Sequence, residues 1–171
     1  MLNPTPRSID DKQYYNPKIQ KRNYSFRPGS SVKVKKSTIW ITGGDKSTEF
    51  ISLDPPKSIK GPTLPFTIYN HSMIQLDDDP KFIYIIGGCQ NGVVSNKTWM
   101  VNLENDFLIN EGPSLNVPRC GHSSAKFKLN GKEFIVVAGG KNEDSVELLE
   151  VSAVQQVWQK GKNRISFLVL C

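Results

Sequence analysis

The chain has 171 residues and a formal net charge of +6. The positive charge lies at one end, because residues 1–36 hold nine Lys or Arg against two Asp, which leaves the remainder close to neutral. The basic character of the chain is therefore a property of this segment and excludes no class of partner for the rest of the chain. No run approaches the ~18 apolar residues of a membrane span, so we expect no membrane insertion.

Residues 1–30 are rich in proline, poor in aliphatic residues and without periodicity, so we predict a disordered basic tail. Its interleaved aromatics Tyr14, Tyr15, Tyr24 and Phe26 could stack on bases, but their irregular spacing favours a solvated linker, and we expect no nucleic-acid partner. The tail lacks the apolar core of a signal peptide. The sequence therefore predicts a cytoplasmic protein, or a secreted one if its amino terminus is incomplete.

After the tail, an apolar run of Ile, Val and aromatic residues ends in a Gly-Gly doublet three times. The doublets are Gly43-Gly44, Gly87-Gly88 and Gly139-Gly140, at offsets of 44 and 52 residues. A fixed feature that recurs at such a period indicates a repeat architecture. Each run is too short for a helix and apolar on both faces, which predicts a strand buried between neighbouring sheets.

Other features recur in step with the doublets. A short strand is predicted after each one, and Gly-Pro turns follow at Gly61 and Gly112. His-Ser pairs then begin at His71 and His122, and the Asn130-Gly131 dipeptide predicts a tight hairpin. Residues 31–35 alternate, which predicts an innermost strand for the first unit. The pattern thus describes units of four strands.

This unit resembles the kelch repeat, whose pattern runs Pro-x-x-Arg-x-x-His-Ser, strand, Gly-Gly, serine, Val-Glu strand, tryptophan and a Gly-Pro turn. The best copy runs from Pro118 and Arg119 through His122, Gly139-Gly140 and Glu147 to Trp158. The resemblance implies an all-β fold, a partial kelch-type β-propeller of about three four-stranded antiparallel blades. The repeats cover residues 31–164, with units at about 31–62, 63–113 and 114–161. The structural repeat positions are Gly43, Gly44, Gly87, Gly88, Gly139, Gly140, His71, His122 and Trp158.

Three blades are fewer than the roughly 4 to 8 that close a propeller ring. We therefore expect a fragment or a truncated gene product. Residues 165–171 are either a partial strand of a fourth blade or an unrelated tail.

Candidates for catalysis and metal binding are weak. Cys120 and His122 lie two residues apart and suggest a nucleophile and its base, but His71 holds the same repeat position without a nearby cysteine. Asp77, Asp78 and Asp79 lack the further spaced carboxylates of a calcium loop and are expected to form a solvated turn. We expect no enzymatic activity, no cofactor and no metal.

The resemblance instead implies a protein-binding surface made of loops on one face, at residues 45–47, 63–69, 90–96, 114–119 and 141–144. Arg119 is expected to anchor a partner with an acidic motif, because a guanidinium matches a carboxylate, and Asn91, Asn96 and Ser114 are expected to support it. The alternative is that Arg119 pairs with an acidic residue of its own or a neighbouring blade.

Two functions follow. The first is a non-enzymatic kelch-repeat protein-protein interaction module of the scaffold or substrate-recognition type. The alternative is a piece of a secreted propeller protein, carbohydrate-binding or oxidase-like, that lacks its catalytic residues.

Overall fold

The computed structural model describes residues 29–35 and 37–161, with the side chain of Lys35 left out. The predicted tail, apart from its last two residues, and residues 165–171 lie outside the described part. Every regular element within it is a β-strand. In chain order these are β1 (Ser30–Lys35), β2 (Thr38–Thr42), β3 (Thr48–Leu53), β4 (Pro56–Lys60), β5 (Ile68–Tyr69), β6 (Ser72–Gln75), β7 (Phe82–Ile86), β8 (Cys89–Gln90), β9 (Val93–Val94), β10 (Thr98–Asn102), β11 (Leu108–Glu111), β12 (Ser123–Leu129), β13 (Lys132–Ala138), β14 (Val146–Glu150) and β15 (Gln159–Lys160).

Twelve of these strands form three antiparallel sheets of the same design, which we call blades. Blade 1 has the order β1-β2-β3-β4, blade 2 the order β6-β7-β10-β11, and blade 3 the order β12-β13-β14-β15. In each blade the run that ends in the Gly-Gly doublet is the second strand. The prediction of an all-β fold of about three four-stranded antiparallel blades is confirmed.

Local sequence explains how the strands connect. The hairpin between β12 and β13 turns at Asn130 and Gly131, whose φ values of 52° and 75° are those of the tight hairpin turn that this dipeptide predicts. The predicted first strand of the first unit is β1, and it pairs with β2. The first strands of the three blades are neighbours, since β6 lies beside both β1 and β12.

The blades pack face to face through two apolar layers. Between blades 1 and 2 the layer includes Trp40, Ile83 and Ile85. Between blades 2 and 3 it includes Ile86 and Leu149. Because side chains of a strand alternate between the two faces of its sheet, β7 contributes to both layers and is buried from Ile83 to Ile86.

The two end blades differ from blade 2. Burial alternates along β13, where Ile135 and Val137 are fully buried and Val136 is half-buried. In β2 likewise Trp40 is buried while Ile41 is partly exposed. The prediction that each doublet-ending strand is buried on both faces is therefore confirmed for β7 and wrong for β2 and β13, because each of these has a packed neighbour on one side among the described residues.

Candidate functional site

The five loops expected on one face are joined to one another by backbone hydrogen bonds. The links that run between successive loops or their flanking residues are Leu64 N to Lys46 O at 2.8 Å, Asn91 N to Thr67 O at 3.0 Å, Leu115 N to Asn96 O at 2.8 Å, Arg119 N to Ser95 O at 3.2 Å and Lys141 N to Cys120 O at 2.8 Å. Together they make one continuous surface, which we call the loop surface and define as residues 45–47, 63–69, 90–96, 114–119 and 141–144.

A fourth, three-stranded sheet of order β5-β8-β9 lies within the loop surface. Ile68 pairs with Gln90, and Gln90 in turn pairs with Val93 across a turn at Asn91 and Gly92. The sequence pattern predicted loop here, because strands of two residues carry no measurable periodicity. The Asn91-Gly92 dipeptide, with φ values of 48° and 87°, was the signal that could have revealed the hairpin.

Strand β9 presents an exposed apolar edge. Val93 is 70% exposed and Val94 is 44% exposed. No charged residue lies between Gln90 and Asn96, although proteins commonly place charges on a free strand edge to prevent pairing with other chains. Among the residues that the structure describes, no strand pairs with the outer edge of β9. An uncharged edge with two exposed β-branched side chains suits main-chain pairing with an extended segment.

The three supporting residues of the predicted binding site occupy different positions. Asn91 is exposed, but its side-chain oxygen accepts from the backbone N–H of Thr67 at 3.1 Å. Asn96 is half-buried and donates from its amide to Leu115 O at 3.1 Å. Ser114 is exposed at the same surface. Both asparagines therefore hold the loops together in addition to facing the surface.

Arg119, the predicted anchor, is buried inside blade 3. Its side chain and that of Glu147 are both 0% exposed, and Nη2 lies 2.8 Å from Glu147 Oε1. The guanidinium also donates to Gly139 O at 2.8 Å and to Ser145 O at 3.0 Å. This geometry corresponds to the alternative in which Arg119 pairs with an acidic residue of its own blade, and it leaves no guanidinium face on the loop surface.

The Glu147 carboxylate is the centre of a wider network. It accepts from the backbone N–H groups of Asn116 at 2.6 Å and Val117 at 3.1 Å, and from the side-chain amide of Asn116 at 2.8 Å. The loop that enters blade 3 is thereby fixed to β14. Trp158 fixes the same loop as well, since it is 2% exposed and its indole N–H donates to Pro113 O at 3.0 Å.

The two repeat histidines link successive blades. His71 Nε2 lies 2.5 Å from Thr42 Oγ1 of blade 1, and His122 Nε2 lies 2.9 Å from Ser72 Oγ of blade 2. Burial, with a smaller contribution from His122, lowers the pKa of His71 to about 4. Burial, with a smaller contribution from Arg119, lowers the pKa of His122 to about 4. Both imidazoles are therefore neutral at pH 7.

All six doublet glycines have positive φ, and Gly43, Gly87, Gly88 and Gly140 also stand where another part of the backbone passes closely. Gly88 combines both constraints, since its φ is 86° and a Cβ there would lie 2.6 Å from His71 Cβ and 2.9 Å from Tyr69 O. Glycine is needed here because it adopts a positive φ without strain and has no Cβ that would clash with these neighbours.

The remaining sequence candidates have structural partners. Cys120 is buried, and the ring of its neighbour His122 faces Ser72. Asp77 forms an ion pair with Lys126 of blade 3 at 2.5 Å, and its backbone N–H donates to Glu133. The acidic turn thus contributes to the contact between blades 2 and 3.

Within residues 29–35 and 37–161, no group of three or more His, Cys, Asp or Glu side chains is placed to hold a metal ion. The described part of the chain also has no helix with the length and apolarity of a membrane span. A scan against protein-family models finds no match, and a search of curated proteins finds no relative.

Proposed function

We propose that this chain is a non-enzymatic protein-protein interaction module of the kelch type, a scaffold or substrate-recognition subunit, which binds its partner through the loop surface. The kelch assignment is supported by repeat residues that perform the same task in successive blades. His71 and His122 each contact a hydroxyl of the preceding blade. Trp158 and Phe107 each pack into the layer that faces the preceding blade.

The observation that carries the binding proposal is the free, uncharged edge of β9 with Val93 and Val94 exposed. The edge is short, with two residues, but it rests on a rigid support of joined loops, and binding residues are commonly held on such loops. We infer that the partner supplies an extended segment, whose backbone pairs with β9 while its side chains cover the valines.

The buried position of Arg119 removes the reason to require an acidic partner. Lys46 and Lys141 are exposed at the loop surface but lie on separate loops, and neither offers a planar fork for a carboxylate. The specificity of the proposed interaction therefore comes from strand pairing and apolar contact.

A non-enzymatic role is supported by the surroundings of the two residues that could act as nucleophile and base. Cys120 is buried at 6% exposure, and Nε2 of His122 is occupied by Ser72 at 2.9 Å. Burial also lowers the pKa of His122 to about 4, which makes it a poor base at neutral pH.

Site-specific photo-crosslinking tests this proposal. A photoreactive amino acid replaces Val94 in one protein and Val154, which is fully exposed between β14 and β15, in a matched control. After irradiation in cell extract, we expect a discrete adduct from position 94 that is absent from position 154. Identical adduct patterns from the two positions would contradict binding at β9.

A further inference from the structure

Blade 1 presents a sheet face whose equivalents in the other two blades are completely covered. Ile39, Ile41 and Ile51 occupy this face and are all partly exposed. The register from each Gly-Gly doublet makes Ile83, Ile85 and Val101 their equivalents in blade 2, and Ile135, Val137 and Leu149 their equivalents in blade 3. Those six side chains are 0–1% exposed, because each face packs against the preceding blade.

A polar residue on the same face shows the same difference. Glu49 and Glu147 hold equivalent positions, one residue into the third strand of their blades. Glu147 is buried beneath the loop that arrives from blade 2. Glu49 is exposed and bonds to Ser58 of its own sheet. The face of blade 1 is therefore built like a blade-to-blade contact but has no covering blade among the described residues.

Blade 3 presents the complementary face. Val136 and Leu148 lie opposite each other on β13 and β14 and are partly exposed, and Phe127 beside them is 40% exposed. Val136 and Leu148 correspond to Trp40 and Phe50 of blade 1, which belong to the layer that packs on blade 2. The open face of blade 3 thus corresponds to the faces of blades 1 and 2 that pack against the following blade. The open face of blade 1 corresponds to the faces of blades 2 and 3 that pack against the preceding blade.

We propose that two copies of this chain associate head to tail, with blade 3 of each copy packed against blade 1 of the other. A second copy fits both open faces. Its blade 3 can pack against the open face of blade 1, and its blade 1 against the open face of blade 3, as successive blades pack within one chain. Head-to-tail contacts close into a ring when the rotations add to a full turn. Propeller rings contain roughly 4 to 8 blades. Two copies of the three blades in the described part of the chain fall within this range, whereas one copy and three copies fall outside it. The assembly is a six-blade ring, and it does not depend on the binding of another protein.

Light scattering coupled to size-exclusion chromatography measures the assembly of the full chain. We expect a single species of twice the 19.2 kDa chain mass at micromolar concentration. A stable 19.2 kDa monomer would overturn the proposal, and so would polymers of increasing size, since these indicate that the contact does not close.

Charge substitutions on the two faces test which surfaces meet. Ile51→Glu and Leu148→Lys are each expected to raise the dimer dissociation constant at least tenfold, because each side chain occurs in both contacts of the ring. Val154→Glu adds a charge at a fully exposed site and is expected to leave the dimer unchanged. Circular dichroism establishes that each variant retains its strands.

Mixing the first two variants in equal amounts tests the head-to-tail arrangement itself. One contact of the mixed ring then has the parent residues Leu148 and Ile51. The other contact places the introduced lysine opposite the introduced glutamate, and their opposite charges attract. We therefore expect the dimer to form again. A mixture that stays monomeric contradicts the arrangement. If either variant loses its strands, crosslinking of Ile51→Cys mixed with Leu148→Cys, in a Cys171→Ser background, takes its place: a covalent dimer from the mixture supports the proposal, and its absence overturns it.

Discussion

Arg119 and Glu147 form an ion pair from which water is excluded on both sides. Such a pair is compensated only while both members and their additional hydrogen bonds are present, because each ion alone would be left in an environment that solvates it poorly. The backbone donors from Asn116 and Val117 complete the carboxylate side of this network. The pair therefore fixes the entry to blade 3.

Removal of the guanidinium is expected to destabilise the fold strongly. We predict that Arg119→Ala lowers the free energy of unfolding by about 3–5 kcal/mol, because Glu147 stays buried without its counter-charge. The matched control is Lys97→Ala, which breaks the exposed ion pair with Glu111 and is expected to cost less than ~1 kcal/mol. Urea unfolding at fixed protein concentration gives both values. Equal losses for the two variants would contradict a structural role for Arg119.

The buried histidines predict a loss of stability in mildly acidic solution. The pKa of both His71 and His122 falls from 6.5 to about 4 on folding. As the pH drops below 6.5 the unfolded chain takes up protons that the folded chain does not, so stability is complete above that pH and decreases toward pH 4. Between pH 7 and pH 5.5 this amounts to about 1 kcal/mol per histidine.

Denaturant unfolding at the two pH values tests this linkage. The double variant His71→Gln/His122→Gln is the control, because glutamine does not titrate. We expect its stability to change by about 2 kcal/mol less than that of the parent over this pH interval. A parent and a variant with the same pH dependence would show that the histidines are not the titrating groups.

Glycine is needed at Gly88 for two separable reasons, and Gly92, in the turn between β8 and β9, isolates one of them. Gly88 and Gly92 both have φ near +86°, but a Cβ at Gly88 would lie 2.6 Å from His71 Cβ, whereas nothing lies within 4 Å of one at Gly92. We predict that Gly92→Ala costs about 1 kcal/mol, from backbone strain alone. Gly88→Ala is expected to cost at least twice as much, because the clash adds to the same strain. Similar melting temperatures for the two variants would contradict a close approach of backbones at Gly88.

Most elements of this fold could be predicted from sequence because their signals are local. The β-branched runs before the doublets indicate strands, and the Asn130-Gly131 dipeptide determines the turn between β12 and β13. The small sheet that contains β5 could not be predicted from periodicity, since it joins Ile68 to Gln90 across 22 positions of sequence. Its pairing arises from contact between loops of different blades.

Side-chain direction was the main obstacle to predicting the site. The sequence shows that Arg119 belongs to the repeat pattern but not whether its guanidinium faces solvent or Glu147. No sequence pattern singles out Val93 and Val94. They became candidates only because the structure places them, exposed, at the edge of the small sheet. Local patterns thus specify the strands, whereas long-range packing decides which residues remain available for binding.

At the scale of the whole molecule, the blades form a stack in which the middle blade differs from the two end blades. Blade 2 is covered on both sides, and its strand β7 is buried at four successive positions, Ile83 to Ile86. Blades 1 and 3 each leave one apolar face open among the described residues. The loop surface runs across all three blades at one edge of this stack.

The most direct test of the central claim, that the partner is held at the edge of β9, is the affinity of the partner captured by crosslinking. Isothermal titration compares the parent with Val93→Ser/Val94→Pro and with the exposed control Val154→Ser. The double variant removes both apolar side chains and the backbone N–H of Val94, which faces the outer edge because Gln90 and Val93 are the residues paired across the turn. We predict binding at least tenfold weaker for the double variant and unchanged for the control. Equal affinity of all three proteins would contradict the claim and place the binding surface elsewhere.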